Sequence, residues 1–162
     1  MAIRQLRYKD DDVLYKMCKT VKNFDNKLEI LLDDMYDTMQ KYEGVGLAAP
    51  QIGILKRVVV IDTGEGRIEL INPEIIESWG EQCGPEGCLS VPGEFGLVSR
   101  PMNVRVRAQD RFGEFFEVEG TGLTGRCFCH ELDHLDGVLF TSRAERMLSD
   151  EEMQSGSYMD EE

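Results

Sequence analysis

The chain has two histidines in its 162 residues, and they stand four apart in His130-Glu131-Leu132-Asp133-His134. On an α-helix this spacing brings both imidazoles to one face, where they can meet one ion, so the rest of the chain must fold around that helix. Glu131 lies beside them, and a carboxylate next to a metal-activated water is what hydrolysis needs as a general base. The alternative is a pair of histidines that share a helix and are simply packed or solvated. An H-E-x-x-H spacing in a chain with no other histidine favours the metal.

Such an ion takes a third protein ligand and leaves one position open. Cys127 shares the helical stripe of 127, 130 and 134, but it stands seven residues from His134, about 10.5 Å along the axis at ~1.5 Å per residue. Ligand atoms on one ion lie within roughly 4 Å of each other. The third ligand is therefore expected from elsewhere in the chain. Downstream, Glu151 or Glu152 fits the pattern of zinc endopeptidases. Upstream, Cys88 sits in PEGCLSVPG, where Pro85, Gly87, Pro92 and Gly93 predict a tight, irregular turn able to present a thiolate. Cysteine with two histidines is a usual open set for zinc or ferrous iron. A buried core thiol is the other reading of Cys88. In EGVGLAAPQIG, residues 43–53, Gly44 and Gly46 allow close backbone approach to a ligand, and the Gln51 amide can donate to a developing oxyanion. Alone, a loop closing a helix explains that stretch equally well.

Taken in order, GVGLAAPQ at 44–51, EGCLS at 86–90 and HELDH at 130–134 resemble the three motifs of peptide deformylases. The likeness extends into VPGEFGLVSRP and HLDGVLF and spans about residues 1–148. It implies removal of the formyl group from the N-terminal methionine of nascent polypeptides, with release of formate. It implies metal ligands at Cys88, His130 and His134, a general acid/base at Glu131, and oxyanion donors at the Gln51 side chain and the Leu89 backbone N–H. Substrate contacts are implied at Gly44, Val45, Gly46, Glu86, Gly87, Leu123 and Cys127. One divalent ion is implied, Fe2+ natively, with Zn2+, Ni2+ or Co2+ able to occupy the site. Transient ribosome contact is a further family expectation. The chain departs from the common family pattern at Cys129, where glutamine is usual, at Gly125, where alanine is usual, and at Asp11-Asp12-Val13-Leu14-Tyr15, where the common form is Asp-Pro-Val-Leu-Arg. Arg126 aligns at the rim of the substrate pocket, with an exposed helix position as the alternative.

Charge and composition bound the rest. Against 31 acidic side chains stand 18 basic ones, a net charge of −13, which disfavours general nucleic-acid binding. The stretch 149–162 carries acids and no base and is expected as an acidic tail behind a catalytic domain at 1–148. That tail argues against electrostatic docking to the ribosome through the C-terminus. Residues 1–20 are charged and lack a signal peptide's apolar centre, and no apolar run approaches a membrane span, so the expected setting is the cytosol; separately, a monomer is expected. Five cysteines without a framework pattern fit a reducing compartment.

Periodicity predicts a first helix over 24–43, with Phe24, Leu28, Leu31, Met35, Met39 and Tyr42 in one stripe, Asp25 or Asn26 as cap, and Gly44 as its end. Strands are predicted at 57–62, 67–71, 75–79, 103–110 and 115–119, with a hairpin turn at 110–113 and a wet face at Arg105 and Arg107. The metal helix follows Gly122 and Leu123, closes at Gly137 and turns Leu132 and Leu135 into the core, with Asp133 as a capping or supporting group. A short strand at 138–140 and a frayed acidic helix or disorder complete the chain. The expected fold is α+β: antiparallel strands wrapped around a central metal-binding helix, with the N-terminal helix packed on the sheet.

Overall fold

The structure, a computed structural model, describes residues 2–156. Asp25 caps the first helix, α1 (Asn26–Lys41), through its side chain on the Leu28 N–H. Leu28, Leu31, Leu32, Met35 and Met39 are buried on one face, whereas Tyr42, expected in the same stripe, lies past the last helical residue and is 39% exposed. The end of α1 differs from the expectation. Glu43, not Gly44, takes the left-handed conformation (φ 58°), and the Gly44 N–H closes back on the Met39 carbonyl at 2.9 Å. Gly44 is required for another reason: a Cβ there would lie 2.7 Å from Leu89 Cδ1.

The face of α1 packs on a five-stranded antiparallel sheet in the order β1-β2-β3-β6-β7: β1 (Gly46–Ala48), β2 (Val58–Ile61), β3 (Ile68–Trp79), β6 (Asn103–Gln109) and β7 (Phe115–Thr121). Val58 and Val60 of β2 join the α1 core, whereas Val59 and Ile61 join the core under a second helix, α2 (Leu123–Leu135). A strand buried on both faces reads as an unbroken apolar run, which is why 58–61 is Val-Val-Val-Ile. The predicted strands 67–71 and 75–79 are one strand, bent at Asn72. This residue accepts φ 52° and uses its amide on Val21 and Gln109 to hold the bend. The wet face of β6 and the turn at 110–113 are as expected: Arg107 is exposed, Val104 and Val106 are buried, and Asp110 closes the turn.

A smaller sheet, β4-β5-β8, covers the other side of α2: β4 (Gln82–Cys88), β5 (Val91–Arg100) and β8 (Arg146–Leu148). The turn expected at PEGCLSVPG is mostly strand. Its true turn is confined to Leu89 and Ser90, and Pro85 is tolerated because β4 is an edge strand. Glycine content hid the hairpin, although Gly87 is needed there: a Cβ would sit 2.7 Å from the Phe95 ring. At 138–140 there is no strand; Phe140 begins a single 3-10 turn, Phe140–Ser142, and is buried against the ring of His130. Ser149 caps the last helix, α3 (Asp150–Ser155), and residues 157–162 of the expected acidic tail lie outside the described residues.

Helix α2 thus lies between two sheets, held at both ends. Thr124 meets Thr63 at 2.7 Å, and Gln82 donates to the Gly122 carbonyl. At the other end Gly137 (φ 77°) and Val138 close on His134 and Asp133, and Arg57 caps the Leu135 carbonyl. Leu132 and Leu135 enter the core as predicted. The start of α2 touches β7 backbone to backbone: a Cβ on Gly120 would lie 2.7 Å from Phe128, 2.8 Å from Thr124 and 3.1 Å from the Gly125 nitrogen. Gly125, the departure from alanine, belongs to this close approach, with Met102 and Gly120 carbonyls 3.0 and 3.1 Å from its absent Cβ.

Replacing Gly120 by Ala is expected to destabilise the protein by about 1–3 kcal/mol through overpacking, read as a lower urea midpoint at unchanged slope. Asp34 gives a pH test. Burial opposes its ionisation, but the Ala2 N–H and Arg4 outweigh that and hold its pKa below the usual carboxylate range. Its stabilisation is full above that range and fades as pH falls through the folded pKa. Asp34→Asn should therefore cost about 1–3 kcal/mol near pH 7, with the deficit shrinking at strongly acid pH in parallel urea titrations.

Candidate metal centre and peptide cleft

The middle of α2 faces the end of β4. His130 and His134, one helical turn apart, set their rings 4.9 Å centroid to centroid at 73°. Cys88, the last residue of β4, brings Sγ to 3.3 Å from His134 Nε2, close to the roughly 3.5 Å separating sulfur and nitrogen on one tetrahedral ion. Donor atoms of Cys88, His130 and His134 all lie within 4.8 Å of one another, and they form the one such group of three found among the described residues. Glu152 instead pairs with Arg146 and closes the Ser149 cap, and neither Glu151 nor Glu152 joins the cluster. Cys127 lies in the cleft wall, where burial pushes its thiol up to about 12.

Behind the cluster stands a buried carboxylate, Glu86, two residues before Cys88. Its Oε2 is 2.6 Å from His130 Nδ1, so Nδ1 donates to the carboxylate and Nε2 is the nitrogen that Glu86 does not engage. Arg100 donates to both Glu86 oxygens and to Asp133, and Arg126 donates to Glu86 Oε1 at 2.9 Å. Burial works against the Glu86 charge, but His130 and Arg100 outweigh it and hold its pKa far below the carboxylate range. Burial also holds the His134 pKa well below the usual imidazole value, which keeps that ring neutral.

Glu131 is buried beside the cluster, and its Oε1 has no hydrogen-bond partner among the described residues. Burial raises its pKa to about 7, with Glu86 adding to the rise and His130 opposing it. The strand β1 passes directly over this carboxylate: a Cβ on Gly46 would lie 2.5 Å from Glu131 Oε2. Gln51 is oriented by its surroundings. The Ala48 N–H can only donate, so it fixes Gln51 Oε1 at 2.9 Å and turns Nε2 toward Cys88 Sγ (3.4 Å) and Ser90 Oγ (3.1 Å).

These groups open onto a cleft of about 710 Å3. Gly44, Val45, Gly46 and Gln51 line it from the β1 side, Glu86, Gly87, Cys88 and Leu89 from the β4 side, and Leu123, Cys127, His130 and Glu131 from α2. His134 sits behind, 1% exposed. Arg126 corrects the exposed-helix alternative: it is 7% exposed, lines the cleft and bonds Glu86 and the Val98 carbonyl. Sequence reasoning gave no role to Arg100, which meets the site through strand pairing, to Ser90, whose hydroxyl in the turn after Cys88 accepts from Gln51, or to the cleft walls Leu6, Tyr8 and Phe95. Spacing carried no signal for them.

An α+β frame that holds a thiol, two imidazoles and a buried carboxylate around one point at the base of a peptide-sized cleft defines a metal-dependent hydrolase. The Polypeptide deformylase family model matches residues 3–150. A peptide deformylase of Caldicellulosiruptor bescii is 54% identical over 154 residues, covering 95% of this chain and 93% of that protein. Among solved structures, a peptide deformylase from Legionella pneumophila superposes with a TM-score of 0.85 at 45% identity (99% of this chain, 95% of that one), and one from Thermotoga maritima with 0.87 at 42% (90% and 99%). The chain belongs to the polypeptide deformylase family, and its activity is the removal of the N-terminal formyl group from nascent polypeptides.

The approach of Gly46 to Glu131 gives a test. Gly46→Ala forces the carboxylate aside, and a misplacement of about 1 Å costs on the order of 10²-fold. Turnover of a formylated peptide should fall by about 10- to 100-fold while circular dichroism stays unchanged.

Proposed function

We propose that Cys88, His130 and His134 hold the divalent ion on which the family's reaction depends, with Glu131 as general acid/base and the Gln51 amide and Leu89 N–H as oxyanion donors. The observation that carries this assignment is a thiol and two imidazoles meeting within 4.8 Å beside a buried carboxylate whose Oε1 lacks a partner among the described residues. One soft thiolate and two imidazoles suit ferrous iron, the native metal here, and also zinc, nickel or cobalt. When bound, the ion supplies Lewis acidity, lowering the pKa of a water towards about 7 and polarising the formyl carbonyl.

The side chains do the rest. Glu131 accepts the proton of the attacking water at Oε1 and later returns it to the leaving amine, acting first as base and then as acid. Gln51 Nε2, turned toward Cys88 by the Ala48 N–H, donates to the oxygen on which charge develops, together with the Leu89 N–H. The Glu86 carboxylate keeps the His130 proton on Nδ1. The methionine side chain enters between Val45, Leu123, Cys127 and the His130 ring. Peptide main chain pairs with backbone near Gly44, Gly46 and the turn after Cys88, with Glu86 and Gly87 as further substrate contacts. In support, β1 and β4 are each the edge strand of their sheet, and an edge strand carries unpaired backbone groups that an extended peptide can join.

The catalytic domain spans 1–148 and 149–162 form an acidic tail, in keeping with a family match that ends at 150. The enzyme acts as a monomer in the cytosol, in transient contact with the ribosome where its substrates emerge. Among the described residues no helix is long and apolar enough to cross a membrane.

Anaerobic purification with metal analysis, followed by formate release from formyl-Met-Ala-Ser, tests the assignment. Cys88→Ala should lose the metal, and Glu131→Gln should keep it while turnover falls by about 10²- to 10⁴-fold. Undiminished metal in Cys88→Ala, or full turnover in metal-loaded Glu131→Gln, contradicts it.

A further inference from the structure

We infer that Arg126 is a positioning residue for this site: by binding one oxygen of Glu86 it clamps the end of β4, and with it Cys88, at a fixed distance from the two imidazoles of α2. The inference rests on the ligand set proposed above.

Backbone pairing alone does not place Cys88. The ladder between β4 and β5 runs regularly from Gln82↔Arg100 to Glu86↔Gly96, then slips, and resumes only at Cys88↔Val91. The thiol therefore hangs from an irregular strand end opposite a rigid helix. Side chains must set the gap. Glu86, the last regularly paired residue before the slip, receives two groups from α2, Arg126 and His130, which are four residues apart and so share one helical face. Arg126 also donates to the Val98 carbonyl at 3.1 Å, and Val98 pairs with Gly84 of β4. Its guanidinium thus grips both strands of the hairpin, lying 3.6 Å from where a Gly84 Cβ would stand.

The two Glu86 oxygens are used unequally. Oε2 takes His130 Nδ1 at 2.6 Å and Arg100 at 2.7 Å, whereas Oε1 takes Arg126 at 2.9 Å and only a longer Arg100 contact at 3.2 Å. Removing Arg126 leaves Oε1 with only the longer Arg100 contact, so the carboxylate is held less firmly on that side. The hold on the His130 proton then loosens, and the β4 end with its thiol is tied to α2 by one bond fewer. Arg100 does not replace the lost donor, because its Nε and both terminal nitrogens are already engaged, two on Glu86 and one on Asp133 of α2. Outer partners of this kind typically change metal affinity or activity by about 10- to 100-fold.

Arg126 also borders the cleft, so it has a rival role as a contact for the peptide. The two roles separate in one set of measurements on Arg126→Met, which keeps the bulk, and Arg126→Lys, which restores a charge and a donor. Positioning predicts that Arg126→Met lowers kcat about 10- to 100-fold with KM within about twofold, weakens cobalt affinity about tenfold, and alters the visible spectrum of the cobalt-loaded protein. Arg126→Lys should recover the spectrum and part of kcat. A raised KM with unchanged kcat, cobalt affinity and spectrum overturns the inference in favour of peptide contact, and a lower melting temperature with all three unchanged overturns it in favour of a purely structural role. Wild-type protein that binds cobalt but never releases formate would instead overturn the function proposed above.

Discussion

The gap between the end of β4 and the middle of α2 is the dimension that the rest of the structure maintains. A cysteine side chain is short, and the two histidines are fixed to a helix that cannot bend toward it. Cys88 Sγ and His134 Nε2 stand 3.3 Å apart only because sheet, helix and hairpin are each held from several sides. On one side, α1 and the five-stranded sheet bury Val58 to Ile61 on both faces, and each such side chain contributes roughly 1.5–3 kcal/mol. On the other, the β4-β5-β8 sheet is pinned by Glu86, Arg100, Arg126 and Asp133.

That second set of contacts is an unusual choice for stability alone. Burying charges costs several kcal/mol per ion, and well-packed apolar residues often serve a core better. What charged groups supply is direction. A carboxylate with two oxygens can hold an imidazole proton on one side and two guanidinium groups around it, which no leucine can do. The same logic applies to Gln51, whose amide is turned by a backbone donor that admits no other orientation. Glycines complete the arrangement where backbone must approach: Gly46 over Glu131, Gly120 against Gly125, Gly87 under Phe95.

Much of this was legible in the residues, and the failures have a common cause. Local signals served well. The four-residue spacing of His130 and His134, the Asp25 cap, the α1 stripe, the Asp110 turn and the Gly137 stop all depend on neighbours within one turn of chain. Signals that depend on pairing across the fold did not. Glycine and proline in 82–96 read as punctuation, yet they are the residues that let two strands and Phe95 fit together. Glu43, not the Gly44 expected to end α1, is the residue that takes the left-handed conformation. Arg100 and Arg126 reach Glu86 across 14 and 40 residues of sequence, and no periodicity anticipates such a meeting. The substrate was never in the spacing; it came with the likeness to deformylases and stands on the family match.

X-ray absorption on anaerobically prepared, metal-loaded protein tests the central claim most directly, because it counts scatterers around the ion without relying on turnover. The account predicts one sulfur at about 2.3 Å and two imidazole nitrogens at about 2.0–2.1 Å. A first shell of nitrogen and oxygen alone, with no sulfur, would contradict it.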